Sequence, residues 1–197
     1  STSVYENYGA KVPSKYLSYQ NLVHEWFMLG WCASYVGNDK VWSGFVTKQE
    51  AQQRSDAGIA NRLHDLMEAA EIIAGHNVDG FDLKKVNTVF MRHGLKPIVG
   101  KKTIDSLKLA RSKLSHESNS LDYLAQYYGF SGKDEITKQD WKDATAGNSK
   151  VLAKVKKYCE GDVINGKGLL ETFIPLANKK FNFGAIKKEV TQDNDDD

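Results

Sequence analysis

The chain has 197 residues, of which 41% are apolar and 26% charged, and its formal net charge is +2. That length supports one well-buried core, and that composition is ordinary for a globular protein in water. The charge is too small to name a partner. Its distribution says more: basic residues crowd the middle, from Lys84 and Lys85 to Arg111 and Lys113, while four of the last five residues are aspartates. A basic middle attracts phosphate, although a solvated lysine face would look the same. No apolar run reaches the roughly 18 residues a membrane helix needs, so no membrane partner is expected. Cys32 and Cys159 show no CxxC spacing. That argues against a disulfide framework and a zinc site, and it suits a reducing cytoplasm.

The predicted elements follow in chain order. The chain does not begin with methionine, and residues 1–16 read as an irregular lead-in. Residues 25–37 and 40–46 are aromatic and apolar runs around Gly-Asn-Asp, which predicts a β-hairpin. Thr47 with Glu50 three residues on forms a capping box, so a helix is expected to run from there to about Ala70. Residues 71–76 (EIIAGH) read as a strand and the following Asn-Val-Asp-Gly as a turn. Residues 81–94 read as a helix closed by Gly94.

Residues 101–114 read as a strand end passing into a helix near Ser106. Residues 119–129 are a compact amphipathic helix ended by Gly129, and 137–147 a further short one. From about residue 149 a long helix is expected, with apolar positions at 151, 152, 155, 159 and 163. Gly161, Gly166 and Gly168 weaken its second half, at up to about 1 kcal/mol each relative to alanine. The pattern predicts an α/β layered fold in one domain, residues 1–190, with an acidic disordered tail at 191–197.

Two short segments carry candidate chemistry. His76 ends a strand, and Asn77, Phe81 and Asp82 follow it into a helix. Asp82 alone would pass for an ordinary first-turn acid. Tyr158 and Asp162 lie four residues apart, which stacks them on one helix face. Alone, they would pass for a packed tyrosine and a solvated acid.

Taken together and in this order, His76-Asn77, Phe81-Asp82 and Tyr158…Asp162 resemble the second and third motifs of the tyrosine subclass of DEDD 3′–5′ exonucleases. The intervening residues are similar to phage members related to the proofreading domain of family B DNA polymerases. The resemblance implies an RNase H-like mixed sheet with helices on both faces. It also implies hydrolysis of terminal phosphodiesters in single-stranded or frayed DNA by a two-metal mechanism with Mg²⁺ or Mn²⁺, in phage replication or repair and hence in a host cytoplasm.

By the same resemblance, Asp162 ligates metal, Asp82 supports the second ion and Tyr158 positions the attacking water. Asn77, with His76, Phe81, Lys84 and Lys85, meets the nucleic acid. A DNA polymerase or another replication protein is the implied protein partner. Asp105 is expected to support structure rather than ligate metal, and Asp122 to be a helix acid. Phe81 and Tyr128 could stack on bases, but core packing is the expected role of both.

The chain departs from the family at one point. No Asp-x-Glu, the family's first motif, occurs anywhere in it. The first strand is therefore expected to be missing. Three accounts stand: a fragment, a motif supplied by another polypeptide, or a catalytically inactive module that binds nucleic acid or a replication protein. An exonuclease domain cut from a polymerase is a further form of the first account. With two carboxylates fewer, Mg²⁺ keeps its waters, so weak metal binding and poor nuclease activity are expected of this chain alone.

Overall fold

A computed structural model describes residues 22–130 and 135–177, together with the backbone of Val4–Tyr5. The expected acidic tail and almost all of the lead-in lie outside the described residues. Strand β1 (Val4–Tyr5) pairs antiparallel with β2 (Leu22–His24). Strands β3 (Gly30–Ser34) and β4 (Val41–Phe45) form the expected hairpin, with Ser34 opposite Val41. Strand β5 (Ile72–Gly75) runs parallel to β6 (Lys102–Asp105). The fold is mixed α/β, and the described strands pair as three two-stranded ladders.

Thr47 caps as predicted: its hydroxyl accepts from the Glu50 amide, and the Glu50 carboxylate accepts from the Thr47 amide at 2.7 Å. The helix that follows is not continuous. It divides into α1 (Lys48–Gln52) and α2 (Ala57–Ala69). Arg54 between them takes a left-handed φ of 54°, which no α-helix tolerates.

The gain from that break is inward placement of Asp56, one of the few buried charged residues described. Its carboxylate accepts from the Met28 amide at 2.7 Å, from Arg92 Nη2 and from His93 Nε2 at 2.6 Å. Periodicity alone misses such a break, because the apolar stripe runs on through it.

Helix α3 (Leu83–Arg92) is closed by Gly94 at φ 72°. Asp105 ends β6 and caps α4 (Ser106–Lys113). Ser120 caps α5 (Leu121–Tyr127), and Thr137 with Asp140 forms a capping box on α6 (Lys138–Thr145).

The long helix α7 (Ser149–Phe173) is continuous through all three glycines and runs into a 3-10 turn, Ile174–Leu176. Gly168 has a packing reason: the Phe130 ring lies where a Cβ would stand. α7 packs on β3, β4 and β5 and also against α4, α5 and α6. It thereby joins two cores. The first holds Phe27, Trp31, Phe90, Leu152 and Val155; the second holds Ala110, Leu124, Leu169 and Phe173.

Because the Asp56 carboxylate has three partners and almost no water, removing it strands donors on Arg92 and His93. Asp56→Ala is expected to lower the unfolding free energy by about 3 kcal/mol, read by urea denaturation. A loss near that of an ordinary surface substitution would refute the role assigned to Asp56.

Candidate functional site

The site begins where β5 ends. His76 is half-buried, and both ring nitrogens are engaged inside the protein. Nε2 donates to the Asn119 carbonyl at 2.9 Å, because a carbonyl only accepts, and Nδ1 lies 2.9 Å from the Ser106 hydroxyl. These bonds tie the strand end to the start of α4 and to the loop before α5.

Asn77 takes a left-handed conformation, φ 65° and ψ 28°. Asparagine is among the few non-glycine residues that visit this region readily. Its amide donates to Asp105 Oδ1 at 2.9 Å. The expected turn at 77–80 is instead one turn of π-helix, Val78–Asp82, leading into α3. Such turns are rare and concentrate at functional sites. Gly80 is required within it, since the Asn77 amide oxygen occupies the space of any Cβ there.

The whole turn rests on Asp105. This carboxylate is buried and accepts from the amides of Asn77, Asp79, Leu107 and Lys108, at 2.9, 3.4, 3.0 and 3.4 Å. Asp105 thus serves the structure, as its place at a helix start suggests. Lys108 reaches back to Asp79 at 2.7 Å, an exposed pair that adds little.

Asp82 follows at the first turn of α3. The residue keeps solvent contact over much of its surface, while its carboxyl has lost hydration. That loss, reinforced by the negative charge of Asp105, pushes its pKa up to about 6.

Phe81 is 56% exposed, so the expected core role does not hold for it. It lies within the π-turn that precedes α3. The ammonium of Lys85 lies 5.9 Å from the Phe81 ring and 3.9 Å from that of Trp26. Trp26 is a neighbour that sequence reasoning missed, because it lies 55 positions before Phe81 with no motif around it. Lys84 is exposed, and its backbone carbonyl accepts from Thr88.

Tyr158 and Asp162 stand on α7, both half-buried. On the same helix, Glu160 meets Ser43 of β4 at 3.5 Å and Lys156 at 3.7 Å. Cys159 faces Cys32 of β3, and both thiols are free. Burial, then proximity to each other and to Glu160 and Asp162, pushes Cys32 up to about 12. Burial, with Asp162 and Glu160, pushes Cys159 up to about 11. Both stay protonated at neutral pH and are poor ligands for a hard cation.

Asp82 thus feels the charge of Asp105, while Asp162 acts electrostatically on Cys159 and Cys32. The helix bearing Tyr158 and Asp162 also packs on β5, the strand that delivers Asn77. Among the described residues, no three or more His, Cys, Asp and Glu side chains are grouped to hold a metal ion. Divalent cations held by oxygen ligands require several converging carboxylates, so these residues do not by themselves fit a two-cation site. Tyr128, by contrast, meets the core expectation. It packs on the second core edge-on to Phe173, with ring centroids 5.4 Å apart.

Comparison with known proteins bears on the same segment. A family model described as Exonuclease, of RNase T type, matches residues 42–135, a span that contains His76, Asn77, Phe81 and Asp82. Protein NEN3 of Arabidopsis thaliana is 30% identical over 103 residues, which make up 51% of this chain. The match spans only 19% of that protein's length. No solved structure matches the chain. Among the described residues, no helix is long and apolar enough to cross a membrane.

The raised pKa of Asp82 has a measurable consequence. The fold favours its neutral form, so that contribution is complete below the unfolded value of 3.8 and is lost as pH rises through about 6. Asp82→Asn is therefore expected to melt higher than wild type at about pH 7 and together with it near pH 4. Parallel melting curves across that range would show that Asp82 is not desolvated.

Proposed function

We propose that the chain is an exonuclease domain that removes nucleotides from the 3′ ends of single-stranded or frayed nucleic acid, with DNA as the first substrate. The domain would span residues 1–190, and its setting would be phage replication or repair beside a polymerase or other replication protein. One observation carries the reading. The segment His76–Asp82 lies inside the exonuclease match and is built around a left-handed asparagine and a π-turn.

In this reading Asn77 presents its side-chain amide to the substrate strand, with Phe81, Lys84 and Lys85 beside it. Its backbone is fixed by Asp105, so little order is lost on binding. Tyr158 offers a hydroxyl that both donates and accepts, which suits the orientation of an attacking water. Asp162, one turn along the same helix, aims at the same place. A carboxyl poised at about 6 lets Asp82 gain or lose a proton near neutral pH. Asp82 and Asp162 would supply part of the carboxylate set that Mg²⁺ or Mn²⁺ needs. The remaining ligands must come from beyond the described residues or from another polypeptide.

A second reading draws on the incomplete carboxylate set: a non-catalytic module that holds single strands for a partner enzyme. One assay separates the two. The purified chain is incubated with a 5′-labelled single-stranded oligonucleotide and Mn²⁺, and the products are resolved on a sequencing gel. The exonuclease reading expects a slow ladder shortening from the 3′ end. Asp162→Asn would abolish it, and Tyr158→Phe would slow it by about 100-fold. Binding without any shortening would support the module instead. Internal cuts, or a ladder unaffected by both substitutions, would overturn the exonuclease reading.

A further inference from the structure

The second core pushes a tyrosine stack to the surface that no residue discussed so far uses. Tyr123 and Tyr127 stand one turn apart on α5, with ring centroids 6.0 Å apart and planes 24° from parallel. Tyr127 is 63% exposed. His116 and Tyr128 brace it from behind, their rings edge-on to it at 5.1 and 5.2 Å. His116 Nε2 is bonded to the Tyr128 hydroxyl at 3.0 Å, and Tyr128 leans on buried Phe173. The exposed ring is therefore held rigid by an aromatic cluster rooted in the core. A flat ligand would meet a face that is already ordered and would give up little conformational entropy there.

At the start of the same helix lies an open polar pocket of about 540 Å³ bordered by Asn77, Arg111, Ser118, Asn119 and Leu121. The cavity wall turns directly into α5 at Leu121. Tyr127 stands six residues beyond Leu121, about 9 Å along the helix axis. Asn119 Oδ1 is buried at this wall with no hydrogen-bond partner, an acceptor for which a ligand amine or hydroxyl would be the natural donor.

The charge around the ledge is balanced. Arg111 and Lys113 close α4, while Glu117 follows in the loop and Asp122 stands in the first turn of α5. Balanced charge gives little general attraction for the dense phosphates of a duplex, whose base faces are also covered. Unpaired bases offer open faces to the rings.

We propose that the Tyr123–Tyr127 ledge stacks the unpaired bases of a single-stranded nucleic acid whose backbone continues into the cavity beside Asn77. The proposal rests on the nuclease reading above and adds to it a route for the strand away from the reacting end. Stacking is indifferent to sugar, so DNA and RNA single strands are both accommodated. Binding here depends only shallowly on salt.

The test uses the full chain and fluorescein-labelled oligodeoxythymidylate and oligouridylate of about twelve nucleotides, read by anisotropy. The p-nitrophenyl ester of thymidine 5′-monophosphate, too short to touch the ledge, serves as a second substrate. Tyr127→Ala is expected to weaken oligonucleotide binding by about tenfold and to leave ester hydrolysis unchanged. Tyr127→Phe and the larger Tyr127→Trp, which keep the braced packing, are expected to bind at least as well as wild type. Equal binding by Tyr127→Ala, or loss of binding in Tyr127→Trp, would overturn the ledge while leaving the nuclease reading intact. The ledge would then be a candidate contact for a protein. A wild-type chain that neither binds nor trims any oligonucleotide would remove the nuclease reading and the ledge with it.

Discussion

One buried carboxylate governs the geometry of the candidate site. Asp105 accepts four backbone amides, two from the turn after β5 and two from the start of α4. A carboxylate satisfied in this way is cheap to bury, whereas each amide left without it would cost on the order of 1–3 kcal/mol. The bonds join segments that β5 and β6 have already brought side by side in parallel register, Gly75 opposite Asp105. The consequence is a fixed left-handed Asn77 and a π-turn that delivers Asp82. The negative charge that fixes the turn also helps to raise the Asp82 pKa. Support and tuning thus come from the same group.

The second organising element is α7. Its 25 residues cross β3, β4 and β5 with one part and close the second core with the other. Tyr158 and Asp162 sit in the stretch against the strands, whereas Leu169 and Phe173 lie in the second core. The aromatic cluster braced by Phe173, including Tyr128 and the exposed Tyr127, is thereby tied to the same helix as the candidate catalytic pair. A glycine at 168 permits this, because Phe130 fills the space beside the helix axis. The propensity cost of three glycines is small against burial of Leu169, Leu170 and Phe173.

Much of the chain was legible before any coordinates. The capping box at Thr47 and the glycines at 94 and 129 that end helices are local signals, and local chemistry satisfies them in place; the caps at Ser120 and Thr137 came to light only in the structure. The misreadings share a cause. The break between α1 and α2 depends on Asp56 finding Arg92 and His93, 36 and 37 positions later. The π-turn depends on Asp105, more than 20 positions after it. Phe81, placed beside the nucleic acid by the resemblance but expected to pack in the core, stands exposed within that turn. In each case a long-range polar partner outweighs the periodicity of the segment.

The sequence by itself determined the class of fold, the order of elements, and the identity of the acids and the phenol that a nuclease reading requires. The first two follow from periodicity and turn and cap residues, which are properties of short stretches; the acids and the phenol stood out only because two short motifs resemble those of a nuclease family. Tertiary structure decided which groups are held and which are open: Asp105 enclosed, Asp82 desolvated yet reachable, both thiols silenced by burial, Tyr127 lifted to the surface. Burial and dielectric environment depend on everything packed around a group, and no window of neighbouring residues contains that information.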